Sequence, residues 1–213
     1  MGTIPGMDNA LLEYVVRPAN GEDPRPPVLC FLHGYDEGAP TGLREGVTRQ
    51  GPLRPGNPPI VARFLVLAPQ LPMRGDLWPR YADAVLRIVD DAVRAQNADA
   101  DRVYLTGFSF GGNGVFDLGL RSPATWAALW AVDPTHVPAP IDTPLFVSVG
   151  AAARPFSGRL ATALRLGEAA GDFPGDHLYS DEGLDHVGCA TSAYRDERIY
   201  RWLLGHRRQP ARR

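Results

Sequence analysis

The residues best placed to do chemistry begin with a serine between two glycines. Gly107-Phe108-Ser109-Phe110-Gly111 follows the pattern G-x-S-x-G. A serine hydroxyl is a poor nucleophile while it keeps its proton, so the pattern matters only where the backbone exposes it and a base can take that proton. Val103, Tyr104 and Leu105 precede the pattern as a β-forming run. Val115, Phe116 and Leu118 follow it at helical spacing. Strand, sharp turn and helix, with serine at the turn, is the context of a nucleophile elbow. The serine is then held in a strained conformation, and side chains two positions away on either side would collide with their neighbours. Gly107 and Gly111 remove those side chains. The turn lifts the Ser109 hydroxyl from the top of the sheet, beside the positive end of the next helix. The bland reading of the same residues is a glycine-rich βα turn with an incidental serine.

The elements that must position this serine are legible in order. Leu11 to Val16 reads as a strand and Val28 to Leu32 as a continuous apolar strand. Such a run suits a strand buried on both faces of a parallel sheet. It ends in His33-Gly34-Tyr35. Positions 36 to 59 are rich in Gly and Pro, with a short helix around Leu43 to Gln50. Ile60 to Ala68 is the next apolar strand. Pro79 fits a first helical turn, and Ala84, Val85, Ile88, Val89, Ala92 and Val93 recur at helical spacing to about Gln96. After the elbow helix, which stops at about Arg121, Trp126 to Val132 reads as a strand ending in Asp133-Pro134. Leu145 to Val149 is another strand, Gly158 to Glu168 a helix and Asp176 to Ser180 a short last strand. Gly183 to His186 is a loop, and Arg195 to Arg207 a final amphipathic helix. Alternating strands and helices predict an α/β fold: a doubly wound, mostly parallel sheet with helices on both faces.

Bulk properties restrict the function. At 213 residues one domain, 1–213, is expected, with a frayed tail from about 208 to 213. A net charge of −2 points to neither nucleic acid nor an anionic membrane. All basic residues are arginine, so lysine bases and Schiff bases are excluded. Cys30 and Cys189 are far apart and form neither a metal pattern nor a disulfide framework, and no metal or cofactor is expected. Cys189, three residues beyond His186, is expected to pack. Positions 1 to 9 lack the basic-then-apolar pattern of a secretory leader, and no apolar run reaches transmembrane length. A cytoplasmic location is the expectation; the oligomeric state is not readable.

With elbow, His-Gly turn and a late histidine loop in this order, nearly the whole chain resembles the α/β-hydrolase superfamily. Within it the chain is most similar to small, capless esterases of the predicted-peptidase and polyhydroxybutyrate-depolymerase-like group. Phe31-Leu-His-Gly34, Gln50-Gly-Pro52, Ala68-Pro-Gln70, Trp78, Asp101 to Gly107, Ala193-Tyr194 and Trp202-Leu-Leu204 carry that likeness. The resemblance implies hydrolysis of an ester or a similar acyl bond, with a small-molecule acyl substrate. The short stretch after Val132 leaves no room for a large cap, so the cleft should be open.

Among His33, His136, His177, His186 and His206, the resemblance selects His186, which lies between the last strand and the last helix, as the base. His33 is then structural, holding its loop by hydrogen bonds. The family acid usually follows the next-to-last strand in a Gly-x-x-Asp turn, but here that turn reads Gly150-Ala-Ala-Ala153-Arg154. Asp133, at the end of the strand after the elbow helix, is the best replacement, and the order Ser109, Asp133, His186 matches the superfamily. Asp181, Glu182 and Asp185 are alternatives near His186, and a Ser–His pair without an acid is another. The oxyanion hole should use the N–H groups of Phe110 and Tyr35. Phe108, beside the serine, and Trp78 are candidates to contact substrate. Two other functions use the same residues or their scaffold. One is acyl transfer or cyclisation on Ser109; the other is a non-catalytic binding protein.

Overall fold

A computed structural model describes residues 12–154, 157–181 and 183–208. Leu11, Glu182 and the tail beyond residue 208 lie outside the described residues, as do the N-terminal positions 1 to 9. Among the described residues, eight strands form one sheet. In chain order they are β1 (Tyr14–Arg17), β2 (Val28–Leu32), β3 (Leu65–Pro69), β4 (Val103–Phe108), β5 (Ala128–Val132), β6 (Leu145–Val149), β7 (Gly167–Glu168) and β8 (His177–Asp181). Their spatial order is β1-β3-β2-β4-β5-β6-β8-β7. Only the pairing of β1 with β3 is antiparallel.

Among the described residues, six α-helices cover the sheet: α1 (Leu43–Arg49), α2 (Ala82–Ala95), α3 (Phe110–Arg121), α4 (Ser157–Ala163), α5 (His186–Ala193) and α6 (Glu197–Leu204). Residues of β2 alternate between two cores. Val28, Cys30 and Leu32 face α2, α3 and α4, while Leu29 and Phe31 face α1, α5 and α6. A strand covered on both faces reads as an unbroken apolar run, which is why β2 has no polar alternation. Among the described residues no helix is long and apolar enough to cross a membrane.

The strand order reverses beside β2. After β2 the chain moves out to β3, then returns to place β4 on the other side. Loops leaving the carboxyl ends of two such strands diverge and leave a crevice between them. Leu32 is level with Gly107, and Phe108 with Val132, so the segments after β2, β4 and β5 emerge side by side.

Three expected elements differ. The strand read over Ile60 to Ala68 begins only at Leu65; Pro59–Arg63 is a 3-10 turn that buries Ile60 and Val61. Pro58 and Pro59 have no N–H to give a ladder, and Phe64 instead closes the turn onto the Val61 carbonyl at 3.1 Å. The helix read over Gly158 to Glu168 stops at Ala163. Arg165 has φ +54°, and the chain leaves as β7 beside β8. His186 sits at the start of helix α5 rather than within a loop. Asp185 caps that helix, accepting from the Gly188 N–H at 2.6 Å. A two-turn helix with little amphipathic pattern leaves no periodic signal.

Candidate active site

The turn after β4 is built by steric exclusion. Ser109 has φ 57° and ψ −115°, outside the conformations that side chains favour. A Cβ on Gly107 would stand 2.3 Å from the Gly111 carbonyl oxygen, and one on Gly111 only 1.9 Å from that of Leu32. Neither position admits a side chain without moving backbone, so both glycines are needed for α3 to rise directly from the sheet. The Ser109 N–H donates to the Val132 carbonyl at 2.9 Å, fastening the turn to the end of β5.

Asp133 is the next residue after β5. Its N–H donates to the Ser148 carbonyl at 2.7 Å, and its φ of 44° is a left-handed conformation that Asp tolerates better than most residues. The carboxylate is completely buried, at 0% exposure. Its Oδ1 accepts the Gly150 N–H at 2.9 Å, and its Oδ2 contacts His186 Nδ1. A Cβ on Gly150 would lie 2.4 Å from the Leu184 carbonyl oxygen. That glycine therefore lets the end of β6 approach the segment carrying the histidine. On the other side of the ring, His186 Nε2 is 2.9 Å from Ser109 Oγ. Phe108 stacks on the imidazole at 4.5 Å between centroids and 30° between planes.

Ser109, His186 and Asp133 are thus brought into one hydrogen-bonded line. With Nδ1–H donated to Asp133, Nε2 is left as an acceptor for the serine proton. The other acids near His186 are engaged elsewhere. Asp181 Oδ1 accepts the Ala151 and Gly183 N–H groups, each at 3.0 Å, and Asp185 caps α5. Glu182 lies outside the described residues. Ala153 occupies a turn closed on the Gly150 carbonyl at 2.8 Å and brings no carboxylate.

The remaining histidines have local partners. His33 is buried, its Nδ1–H donating to the Gly34 carbonyl at 2.7 Å and its Nε2 accepting the Leu71 N–H at 2.9 Å. Burial lowers its pKa to about 4, against a smaller opposing effect of the Gly34 bond. His177 and His206 lie 2.8 Å from the Ile141 and Trp202 carbonyls respectively, and His136 packs edge-on against Phe116.

Phe110 and Tyr35 meet across the crevice. Phe110 is the first residue of α3 and Tyr35 the first of a 3-10 turn, so neither N–H has an acceptor within its own helix. Their rings pack edge-on at 5.1 Å and 89°. Tyr35 is 47% exposed, with the Arg74 guanidinium 5.7 Å from its ring centre. The aromatic surface at the mouth therefore comes from the rings of these two residues. The two aromatics expected to contact substrate are placed differently. Trp78 is 1% exposed, donates its indole N–H to the His33 carbonyl at 3.1 Å and packs against that ring. Phe108 is buried behind the base. Both support the crevice from beneath, Phe108 stacked on the His186 ring and Trp78 packed on that of His33. Cys189, on α5, is buried in the core.

One participant had no role in the sequence reading. Arg154, just after the turn where the resemblance placed an acid, extends back over the Asp133–His186 pair. Its only signal was a charged residue at the end of an otherwise bland Ala-Ala-Ala stretch.

The fold recurs in solved structures. The chain matches a thermostable esterase at 22% identity and TM-score 0.68, over 92% of this chain and 59% of that one. It matches the acetyl xylan esterase from Aspergillus awamori at 13% identity and TM-score 0.58, over 89% and 94% of the two chains. The chain has the α/β-hydrolase fold. An acylaminoacyl peptidase is a further match, at 12% identity and TM-score 0.58, over 95% of this chain and 40% of that one. The α/β-hydrolase scaffold here is small, spanning 59% of the thermostable esterase. No family model and no curated protein matches the sequence.

Proposed function

We propose that the protein is a serine hydrolase that cleaves a carboxylic ester, lactone or thioester of a small molecule through an acyl-enzyme on Ser109. The observation that carries this reading is the 2.9 Å contact between Ser109 Oγ and His186 Nε2, with the far side of the imidazole on Asp133. Oγ attacks the acyl carbon as its proton passes to Nε2. The carbonyl electron pair moves to oxygen, for which the N–H groups of Phe110 and Tyr35 are the proposed donors. Collapse of the tetrahedral species expels the alcohol or thiol, which takes the proton from His186. A water then repeats the sequence on the acyl-enzyme and frees the acid. Asp133 keeps the proton of the resting imidazole on Nδ1 and faces the positive charge that forms.

Access to the base supports water as the acceptor. The His186 side chain is 34% exposed, so water reaches the base, which favours hydrolysis over transfer to a second substrate. The exposed Tyr35 and the adjoining Phe110 suit an apolar or aromatic acyl or leaving group. The likeness to esterases in fold, and to small capless esterases in motif, supports the same class. The test is intact mass after incubation with a fluorophosphonate. One adduct on the wild type and none on Ser109→Ala is expected; a wild type that takes no adduct refutes the reading and favours a binding role.

A further inference from the structure

Arg154 holds a position that a triad does not need. Its Nη2 lies 3.2 Å from Asp133 Oδ2 and 2.9 Å from His186 Nδ1. Nε donates to the Pro134 carbonyl at 3.0 Å, and Nη2 is 3.4 Å from that of Asp133, so the guanidinium is fixed against the turn after β5. Its side chain is only 16% exposed. His186 Nδ1 can serve one partner at a time. Carrying the proton, it donates to Asp133 Oδ2, the same oxygen that Arg154 contacts. Lacking the proton, it accepts from Arg154; Nε2 then carries the hydrogen, donates to Ser109 and has no lone pair for the serine proton.

We propose that Arg154 is a positioning residue that restrains the His186 base. It competes with Asp133 for Nδ1 and shares the carboxylate oxygen on which the protonated ring depends. This inference rests on the hydrolase reading above. Its sign follows from what changes as the reaction proceeds. Attraction between Arg154 and Asp133 exists before and during proton transfer, so it leaves the barrier unaltered. Repulsion between Arg154 and the imidazolium arises only when the Ser109 proton reaches Nε2, so it raises the barrier. The groups facing the ring are Asp133 and Arg154 at its Nδ1 side, Ser109 at Nε2 and the uncharged Phe108 on its face. The same guanidinium supplies a positive charge beside a fully buried carboxylate, so it stabilises the fold while slowing the chemistry.

The experiment compares second-order fluorophosphonate labelling of wild type, Ser109→Ala, Arg154→Gln, Arg154→Met and Arg154→Lys, with thermal unfolding of each. The Gln and Met variants are expected to label about tenfold faster, equivalent to about 1.4 kcal/mol, and to melt at a lower temperature. Lys keeps the charge and is expected to give no acceleration. A residue with a merely structural role would lose rate and stability together. Folded Gln and Met variants labelling no faster than wild type overturn the proposal. Imidazole 15N NMR on the wild type decides independently of whether any variant folds. The proposal expects both the Nδ1–H and Nε2–H tautomers of His186, and Nδ1–H alone overturns it. A wild type that does not label refutes the hydrolase reading instead, while the tautomer measurement still judges Arg154.

Discussion

Replacing Asp133 by Asn changes two hydrogens' worth of chemistry and almost no volume, so its effect can be worked from the contacts. The side chain sits between the Gly150 N–H, 2.9 Å from Oδ1, and His186 Nδ1. An asparagine must present its oxygen to one and its NH2 to the other. With NH2 toward Gly150, two buried donors face each other and lose their acceptor, at about 1–3 kcal/mol each. The oxygen therefore goes to Gly150 and the NH2 to Nδ1. Nδ1 must then accept, the ring hydrogen moves to Nε2, and the base faces Ser109 with a proton already in place. Loss of the correct tautomer in such a triad costs about 10⁴-fold in rate, or about 5.4 kcal/mol. Arg154 can satisfy the same wrong tautomer, which adds to the effect. Stability should fall less, by about 1–3 kcal/mol, because Arg154 keeps its carbonyl partners and some solvent. The assay is the second-order rate of fluorophosphonate labelling by intact mass, with circular dichroism confirming the fold. Asp185→Asn serves as a control expected within about twofold of wild type, since Asp185 caps α5 and asparagine caps a helix equally well. A folded Asp133→Asn protein labelling within tenfold of wild type would refute the argument.

Three further outcomes are expected. Gly111→Ala should lower stability by about 3 kcal/mol or more, because its Cβ would meet the Leu32 carbonyl at 1.9 Å; an unchanged urea midpoint would contradict the steric account of the elbow. Trp78→Phe removes the bond to the His33 carbonyl and should cost about 1–3 kcal/mol, with KM unchanged for any ester the protein turns over; a raised KM at unchanged stability would instead place Trp78 at the substrate. His33, held near a pKa of about 4 by burial, should make stability depend on pH. The unfolded chain binds a proton below about 6.5 that the folded chain refuses until about 4, so the contribution is intact above pH 6.5 and is lost as pH falls. The loss reaches at most about 3 kcal/mol. Burial raises the Glu37 carboxyl, which acts in the opposite direction, so the measurement is the difference between wild type and His33→Gln in urea unfolding at pH 5 and pH 7. Equal slopes in the two proteins would refute it.

The sequence by itself determined the parts of this protein that are local or repetitive. Unbroken apolar runs marked β2 and β5, and runs broken only by Thr106, Gly107 or Ser148 marked β4 and β6, because a strand covered on both faces is apolar at most positions. Two glycines at fixed distance from a serine announced the elbow, because a Cβ at either would stand only 1.9 to 2.3 Å from a neighbouring carbonyl oxygen. His186 and Asp133 were candidates by order along the chain alone. What brought them together is tertiary. Parallel register sets Asp133 at the level of Ser109, and the packing of Gly150 against Leu184 draws in the segment that carries His186. Neither relation has a sequence period. The roles of Trp78 and Phe108 were likewise undecidable beforehand, since an aromatic residue suits a buried support as well as a substrate wall until its exposure is known. Arg154 is the clearest case. Twenty-one residues separate it from Asp133 and thirty-two from His186, and only the fold of the turn after β6 lays its charge on their shared hydrogen bond.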